Sequence, residues 1–264
     1  ALTSLNTISG MINKITLTDK KPALTMQSTD LDAYSDLLGL VQNSFKLNLS
    51  DPLSVDKATS LTAPSANVNL AFTVSDTQAN IQDNIDALQV LVKSKQLTSL
   101  QISDTPKPFV ISAASLKSDV DAINLLKPPS LSISDVTVAD AMRLPPVIKS
   151  FKLSGNPPFT FAINDTAKNI ASGWSSLDSL YKNNMVSDIS VSDGNPISLT
   201  FATAKKSLIL NGDSTKAVNF HDGVSLVLTE LKASDITAAN DLATKLAATN
   251  AALNASPLPD GSPQ

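Results

Sequence analysis

This chain of 264 residues repeats part of its own sequence at a separation of 89 positions. Val74-Ser75-Asp76-Thr77 returns as Ile163-Asn164-Asp165-Thr166, and the apolar residues that follow return at nearly the same spacing. Repetition at this scale is typical of stacked supersecondary units that share one continuous core. We therefore expect a single repeat domain over about 1–253, with large repeats at about 1–69, 70–158 and 159–253 and a tail or linker at about 254–264.

Each large repeat contains shorter units, and each of these is marked by an alternating run that ends at an aspartate. Apolar and polar residues alternate within the runs, and a period of two predicts a half-buried strand. The marker residues are Asp19, Asp51, Asp76, Asp104, Asp135, Asp165 and Asp193. The residues expected at equivalent buried positions on parallel strands are Ile15, Leu49, Val74, Ile102, Ile133, Ile163 and Val191.

After most markers the apolar spacing changes to three and four, which is typical of one face of a helix. This pattern predicts helices from near Thr77 to Val92 and from near Thr166 to Tyr181. Either Asp76 or Thr77 is a candidate cap for the first of them. Two further segments, Thr29-x-x-Asp32 and Thr137-x-x-Asp140, resemble capping boxes.

Strands and helices that alternate at this spacing favour parallel strands joined by right-handed crossovers. A sheet covered on both faces would have continuously apolar strands, whereas these strands alternate, so helices are expected on one face only. The predicted fold is an α/β right-handed parallel solenoid of stacked strand–helix repeats, similar to a β-helix, with one sheet face exposed to solvent.

The composition excludes several classes of site and partner. Cysteine is absent, which excludes disulfides, a thiol nucleophile and a thiolate metal site. The net charge is −4 and there is no basic patch, which argues against a nucleic-acid partner. No apolar run reaches membrane-spanning length. Nearly all acidic residues are aspartate and nearly all basic residues are lysine, a bias more typical of extracellular repeat proteins than of cytosolic enzymes.

One stretch of the chain resembles a known kind of repeat. The sequence from Phe72-Thr73-Val74-Ser75-Asp76-Thr77 to Leu91, followed by the alternating run that ends at Ser103-Asp104, is similar to "SDTAANIAANLDALQAL…KLTSITLSD". Repeats of that form occur in very large secreted and cell-surface proteins of bacteria. The resemblance implies export, often by type I secretion, and surface or adhesin-like roles, and it brings no catalytic residues. The chain lacks the Gly-Gly-x-Gly-x-Asp nonapeptides that often accompany such arrays, so a calcium site is not implied.

The ionisable residues allow two interpretations. The aspartate markers either bind Ca²⁺ along one edge of the solenoid, which needs several oxygens at one point, or end strands and cap helices, which we favour. His221-Asp222-Gly223 holds the single histidine, as a general base beside an acid or, as we favour, as a turn. Trp174 takes the place of Ile85 and is expected in the core. We assign no catalytic, cofactor-binding or metal-binding residues and expect no enzyme activity.

The outward strand positions form the surface on which a function is expected. Stacked, they make a flat and mostly uncharged face of hydroxyls and amides, suited to glycans or to copies of itself, or simply to solvent. Its members are Thr16, Thr18, Lys46, Asn48, Ser50, Thr73, Ser75, Gln101, Ser103, Ser132, Ser134, Ser190 and Ser192.

The function expected from these features is a structural or adhesive segment of an exported bacterial surface protein, such as an adhesin stalk or a surface-layer-like subunit. The expected location is outside the cell. The expected partners are copies of the same chain or other surface proteins, and glycans are a further candidate. The alternative is a carbohydrate-binding module or a polysaccharide-active enzyme. An acidic cleft in the least repetitive stretch, residues 205–220, would favour the enzyme.

Overall fold

The computed structural model describes residues 6–7, 9–151, 153, 158–211, 218–221 and 224–254. The chain forms two compact units. The first consists of Ala1–Lys107 with Lys117–Lys127, and the second of Pro108–Leu116 with Pro128–Gln264. Most of the predicted tail, from residue 255 onward, lies outside the described residues.

Short strands alternate with short helices along the chain. The strands are β1 (Ala23–Met26), β2 (Phe45–Leu49), β3 (Val68–Asp76), β4 (Leu97–Ile102), β5 (Phe109–Ser112), β6 (Leu131–Val136), β7 (Phe159–Asp165), β8 (Val186–Val191), β9 (Ile197–Thr200), β10 (Asn219–Phe220) and β11 (Leu226–Thr229).

The helices are α1 (Ser28–Gly39), α2 (Val55–Ser60), α3 (Gln78–Asp83), α4 (Ile85–Lys93), α5 (Ala113–Ser118), α6 (Val120–Leu126), α7 (Val138–Ile148), α8 (Ala167–Ser172), α9 (Trp174–Lys182), α10 (Phe201–Lys206), α11 (Leu208–Asn211) and α12 (Ile236–Asn254).

All pairings between the described strands are parallel, which confirms the predicted α/β class with parallel sheets. The first unit holds a four-stranded sheet in the order β1-β2-β3-β4. The second unit holds a five-stranded sheet in the order β10-β8-β7-β6-β5 and a two-stranded sheet of β11 and β9. Parallel neighbours cannot be joined by a tight turn, so a helix-containing crossover separates most of them along the chain.

The predicted alternation matches the burial of some strands, such as β2 and β7, but not of β4 and β8, where only every third side chain is buried. In β2 the side chains of Phe45, Leu47 and Leu49 are buried, while Lys46 is exposed and Asn48 is half-buried. The strand β7 alternates in the same way along its whole length. The inward side chains form the apolar core and the outward ones are polar, because a strand turns successive side chains to opposite faces.

The predicted row of equivalent buried strand positions is wrong in three respects. Ile15, Ile102 and Val191 are only half-buried. Val74 lies opposite Leu100 rather than Ile102, and Ile163 lies opposite Ile189 rather than Val191, so the pairing is shifted by two residues. The predicted positions are also divided between sheets of the two units, and Ile15 makes only an isolated bridge to Val41.

The two long predicted helices are each interrupted once. The first divides at Asn84 into α3 and α4, and the second divides at Gly173 into α8 and α9. At Gly173 an added Cβ would lie 2.2 Å from Val138 Cγ1, so the close approach of α7 requires glycine there.

Hydroxyl side chains cap the helices as the sequence predicts in two of three cases. Thr77 accepts a hydrogen bond from the Asn80 N–H, and Thr137 accepts one from the Asp140 N–H. The predicted capping box at Thr29 is wrong, because the N-cap of α1 is Gln27, two residues before Thr29, and Gln27 makes no side-chain capping bond.

Candidate functional site

Five of the seven marker aspartates bind the first residue of a helix in the preceding coil. We call these five carboxylates the aspartate ladder. Each accepts a hydrogen bond from a backbone N–H that opens a helix and therefore has no partner within that helix. The bonds run from Ser28 to Asp51 (2.6 Å), Val55 to Asp76 (2.8 Å), Gln78 to Asp104 (2.8 Å), Val138 to Asp165 (2.9 Å) and Ala167 to Asp193 (3.2 Å).

The strand register explains why the ladder forms. Because Asp76 pairs with Ile102, the next marker, Asp104, lies level with Gln78, the first residue of α3. The same relation recurs where Asp165 pairs with Val191 and Asp193 lies level with Ala167. The strands therefore pair two residues away from the predicted register. This same offset places each ladder carboxylate against the first residue of a helix in the preceding coil.

Some ladder aspartates also stabilise the start of their own helix. Asp76 accepts hydrogen bonds from the Thr77 N–H at 2.7 Å and from Asn80 Nδ2 at 2.8 Å. Asp165 makes the equivalent bonds to Thr166 and Asn169, both at 2.8 Å. These carboxylates therefore join two helix starts, whereas the sequence predicts only the local half of that role.

The hydrogen bonds favour the ionised form of three ladder aspartates, Asp51, Asp76 and Asp193. The Val55 N–H, followed by Asn80 and Thr77, lowers the pKa of Asp76 against a desolvation effect that raises it. At Asp51 partial burial raises the pKa, but bonds from the Ser28 hydroxyl and N–H outweigh it and the net pKa is lowered. Bonds from the Asn195 side chain and the Ala167 N–H lower the pKa of Asp193.

Two markers do not belong to the ladder. Asp135 is exposed, has a left-handed backbone (φ 53°) and accepts a bond from the Ser134 hydroxyl at 3.0 Å. It lies at a break in register between Ile133 and Val136, which turns its carboxylate away from the preceding coil. Asp19 is exposed near the start of the described chain.

The hydrogen bonds of the ladder carboxylates are relevant to the interpretation that these groups bind Ca²⁺. Its carboxylate oxygens meet N–H donors, which occupy the side where a cation would need further oxygens. Within the described residues no group of three or more acidic or histidine side chains is arranged to hold a metal ion.

His221 contacts a distant aspartate. Its Nε2 lies 3.6 Å from Asp188 Oδ1, and Asn219 Nδ2 donates to the same oxygen at 3.3 Å. The parallel pairing of β10 with β8 places Asn219 opposite Asp188, a contact that no local pattern signals. Asp222, the neighbour that the sequence offers as a partner, lies outside the described residues. The His221 side chain is 55% exposed, so the pair lies at the surface.

The predicted search region for an enzyme site holds no acidic cleft in its described part, 205–211 and 218–220. A cavity of about 270 Å³ beside α10 and α12 is lined by Lys205, Asn211, Asp241 and Lys245 together with Phe201 and Leu242. Two lysines face one aspartate there, which is not the paired-carboxylate arrangement that glycoside hydrolysis uses. Residues 212–217 lie outside the described chain.

Trp174 is a core residue, as its helical spacing predicts. Its side chain is 1% exposed, and its indole Nε1 donates a hydrogen bond to Ser207 Oγ at 2.9 Å. It therefore offers no stacking surface to a sugar.

The outward strand positions form one mostly polar face in each unit, although the outward positions of the second unit also include Ala162 and the exposed Val110. The first-unit polar face comprises Thr25, Lys46, Asn48, Asn69, Thr73, Ser75, Ser99 and Gln101, which pair across the strands in register. The second-unit polar face comprises Ser112, Ser132, Ser134, Thr160, Asn164, Asp188, Ser190 and Asn219. All of them are exposed or half-buried. Of the other predicted members, Ser50, Ser103 and Ser192 lie just beyond strand ends, and Thr16 and Thr18 lie outside the strands.

The described helices include none that is both long enough and apolar enough to cross a membrane. Comparisons with protein-family models, with curated proteins and with solved structures find no match to this chain.

Proposed function

We propose that this chain is a structural or adhesive repeat segment of an exported bacterial surface protein, in which parallel coils stack as a solenoid and the polar faces make the contacts. The observation that carries the proposal is the aspartate ladder. Five of the seven marker aspartates complete the start of a helix in the coil before their own, so this stabilising bond lies between neighbouring coils of an array. Such a device extends by adding coils and needs no separate reaction centre.

The polar faces support association more than chemistry. On the first-unit polar face Lys46 is the only charged member, and the others are hydroxyls and amides that both donate and accept hydrogen bonds. Rows of such groups suit contacts with copies of the same chain or with other surface proteins. The bias toward aspartate and lysine and the resemblance to secreted repeats support a location outside the cell.

The test places one new charge on each polar face. Ser75→Lys combined with Thr160→Lys should weaken self-association or adhesion to a coated surface by roughly tenfold, because buried like charges repel across a contact. Sedimentation over a range of concentrations and bead adhesion measure the two properties. The matched control is Ala79→Lys with Ser175→Lys, which adds the same charge on exposed helix positions. An unchanged association in the first variant, or a wild-type chain that neither associates nor adheres, contradicts the proposal.

The alternative function, a carbohydrate-binding module or polysaccharide-active enzyme, has one observation in its favour. His221, Asp188 and Asn219 cluster at the second-unit sheet. We expect His221→Ala to leave association and thermal stability unchanged. If it abolishes a measured polysaccharide hydrolase or lyase activity while the melting temperature holds, the enzyme function replaces the one proposed.

A further inference from the structure

The strand β11 corresponds to the middle strands β2 and β6 but is paired on one edge only. In the first unit β2 lies between β1 and β3, and in the second unit β6 lies between β5 and β7. The strand β11 pairs with β9, and no other described strand pairs with it. An edge without a partner presents a row of backbone N–H and C=O groups on which another strand can be added.

The strands β6 and β11 have the same register relative to the strand before them. The first residue of β6, Leu131, lies opposite Phe109 of β5. The first residue of β11, Leu226, lies opposite Ile197 of β9. In both pairs the residue of the earlier strand donates its N–H to the carbonyl just before the first residue, at 2.9 Å and 2.8 Å respectively. The two strands can therefore be compared residue by residue.

The other edge of β6 is occupied by β7. The Leu131 N–H donates to Pro158 O at 3.0 Å on that edge. The Leu226 N–H holds the equivalent position in β11, so it points to the edge at which no described strand pairs. Four residues later the backbone is left-handed in both coils, at Asp135 (φ 53°) and at Glu230 (φ 59°), so the equivalence extends beyond the strands.

An apolar groove lies between β11 and α12. It has a volume of about 350 Å³ and is lined by Phe220, Leu226 and Leu228 of the strands and by Leu242 and Leu246 of α12, among others. None of the described residues that line it belongs to β8 or β9, so the groove opens on the side away from them.

The inward side chains of β11 are less buried than their counterparts in β6. Leu131 and Ile133 are 1% and 0% exposed, and both lie opposite phenylalanines of β7. The corresponding Leu226 and Leu228 are only half-buried. The groove therefore has the apolar lining that β7 covers in the coil of β6, without a covering strand.

The same coil exposes three large apolar side chains, Val227, Leu231 and Ile236. The outermost coil of a solenoid needs a polar outer face to remain soluble by itself. Contiguous apolar surface is instead typical of an interaction site.

The helix start after β11 has no ladder aspartate. In the coil of β6, the Val138 N–H binds Asp165 at the end of β7. Ala233, which opens the helical turn before α12, is the counterpart of Val138, since each follows the left-handed residue of its coil by three positions. All five ladder aspartates bind other helix starts. The exposed Lys232 beside Ala233 adds a positive charge where a carboxylate would arrive.

We propose that the unpaired edge of β11 and the apolar groove dock one more coil of the same kind, carried by another polypeptide segment. Its strand pairs parallel to β11, its alternate aromatic or aliphatic side chains fill the groove, and its aspartate binds the Ala233 N–H. Strand addition takes affinity from main-chain hydrogen bonds and specificity from pockets for alternate side chains. This docking rests on the proposed function, in which coils stack as an array, and names the element that the array accepts.

A peptide of residues 158–182 is the probe, because it carries β7, the strand that occupies the equivalent edge of β6. Titrated with the full chain, the fluorescently labelled peptide should bind with a Kd in the micromolar range, measured by anisotropy. The control peptide with Phe159→Ser and Phe161→Ser should bind about tenfold more weakly or worse, because it cannot fill the groove.

Amide hydrogen exchange identifies the edge at which the peptide binds. With the peptide at saturation, exchange of the Leu226 and Leu228 amides should slow by about tenfold or more, because both N–H groups gain an acceptor. Absence of binding up to about 1 mM peptide overturns the docking site. Protection at another strand edge, with the β11 amides unchanged, overturns it as well.

Two variants of the full chain test the groove without touching its buried side chains. Ala243→Lys adds a charge at an exposed position that lines the groove and should weaken peptide binding by about tenfold. Asn240→Lys adds the same charge at an exposed position of α12 outside the groove and should bind the peptide as the wild type does. If Ala243→Lys does not fold, Ala247→Lys, also exposed at the groove, replaces it. Equal binding by the groove variant and the wild type contradicts the proposal.

Two further measurements separate this docking from other contacts. If the peptide does not bind but Ala243→Lys abolishes self-association of the chain, a second copy occupies the groove and the proposal is overturned. The polar-face variant, Ser75→Lys with Thr160→Lys, should bind the peptide normally. A failure of association through the polar faces is thereby distinguished from a failure of docking at β11.

Discussion

At the scale of single residues, the 89-residue repeat identifies positions whose side chains differ while their helices correspond. Trp174 occupies the place of Ile85, and both are buried. The larger indole is accommodated together with a hydrogen bond to Ser207, which in turn binds Asp178. The apolar surface of Trp174 is thus buried, and its indole N–H is hydrogen-bonded.

Truncation of Trp174 tests this packing. We expect Trp174→Ala to lower the free energy of unfolding by about 3–5 kcal/mol, through lost burial and a cavity. Trp174→Phe keeps much of the volume but removes the bond to Ser207, so its cost should be smaller. Urea unfolding followed by circular dichroism measures both. A loss within about 0.5 kcal/mol, typical of surface sites, would mean that the ring is exposed in solution.

Gly173 is constrained by a neighbour rather than by its own backbone. Its φ of −93° is open to other residues, but an added Cβ would meet Val138 Cγ1 at 2.2 Å. We expect Gly173→Ala to destabilise the chain by about 1–3 kcal/mol through overpacking.

The control for Gly173→Ala removes the clash from the other side. In a Val138→Ala background the substitution should cost much less, because Cγ1 is gone, and a double-mutant cycle of urea unfolding measures the coupling. Additive effects of the two substitutions would show that this contact does not determine the cost.

At the scale of secondary-structure elements, the aspartate ladder joins helix starts that lie in different coils. A helix of six residues, such as α8, has little intrinsic stability, so the bonds at its first turn contribute a large share of what holds it in place. The ladder bond of Asp165 is buried, since that residue is 8% exposed.

Paired amide substitutions test the ladder. Asp165→Asn should cost about 1–3 kcal/mol, because the amide nitrogen replaces one acceptor oxygen where N–H donors converge. Asp135→Asn should be nearly neutral, since Asp135 is exposed and asparagine tolerates its left-handed backbone. Thermal unfolding of the two variants gives the comparison. Equal costs would mean that the ladder bond does not stabilise the fold.

At the scale of the whole molecule, the ladder aspartates and the buried Asp119, which directly precedes α6, make stability depend on pH in opposite directions. The pKa values of Asp51, Asp76 and Asp193 are lowered on folding, so their stabilisation is complete above the ordinary aspartate value and is lost as the pH falls through the folded value. Burial raises the pKa of Asp119, which acts in the opposite sense, so its contribution to stability declines as the pH rises.

We therefore expect the free energy of unfolding to decrease on acidification below about pH 4. The Asp76→Asn variant should show a shallower decrease, because one group with a lowered pKa has been removed. Urea unfolding at a series of pH values measures both slopes. Parallel acid slopes for the variant and the wild type would contradict the assignment of Asp76.

The sequence alone determined those features that depend on neighbouring residues. Alternation identified the strands and their buried faces, helical spacing identified the core position of Trp174, and the hydroxyl before a helix identified the caps at Thr77 and Thr137. Each of these follows from the geometry of one element, which a period of two or of three and four expresses directly.

The tertiary structure decided how the elements meet. The register that puts Val74 opposite Leu100, the contact of Gly173 with Val138 and the burial of Asp119 all join residues that are distant in sequence. Periodicity is unchanged when a strand slides by two residues, so it cannot distinguish the predicted row from the observed one. That slide nevertheless decides whether a marker aspartate binds only the start of its own helix or also that of a helix in the preceding coil.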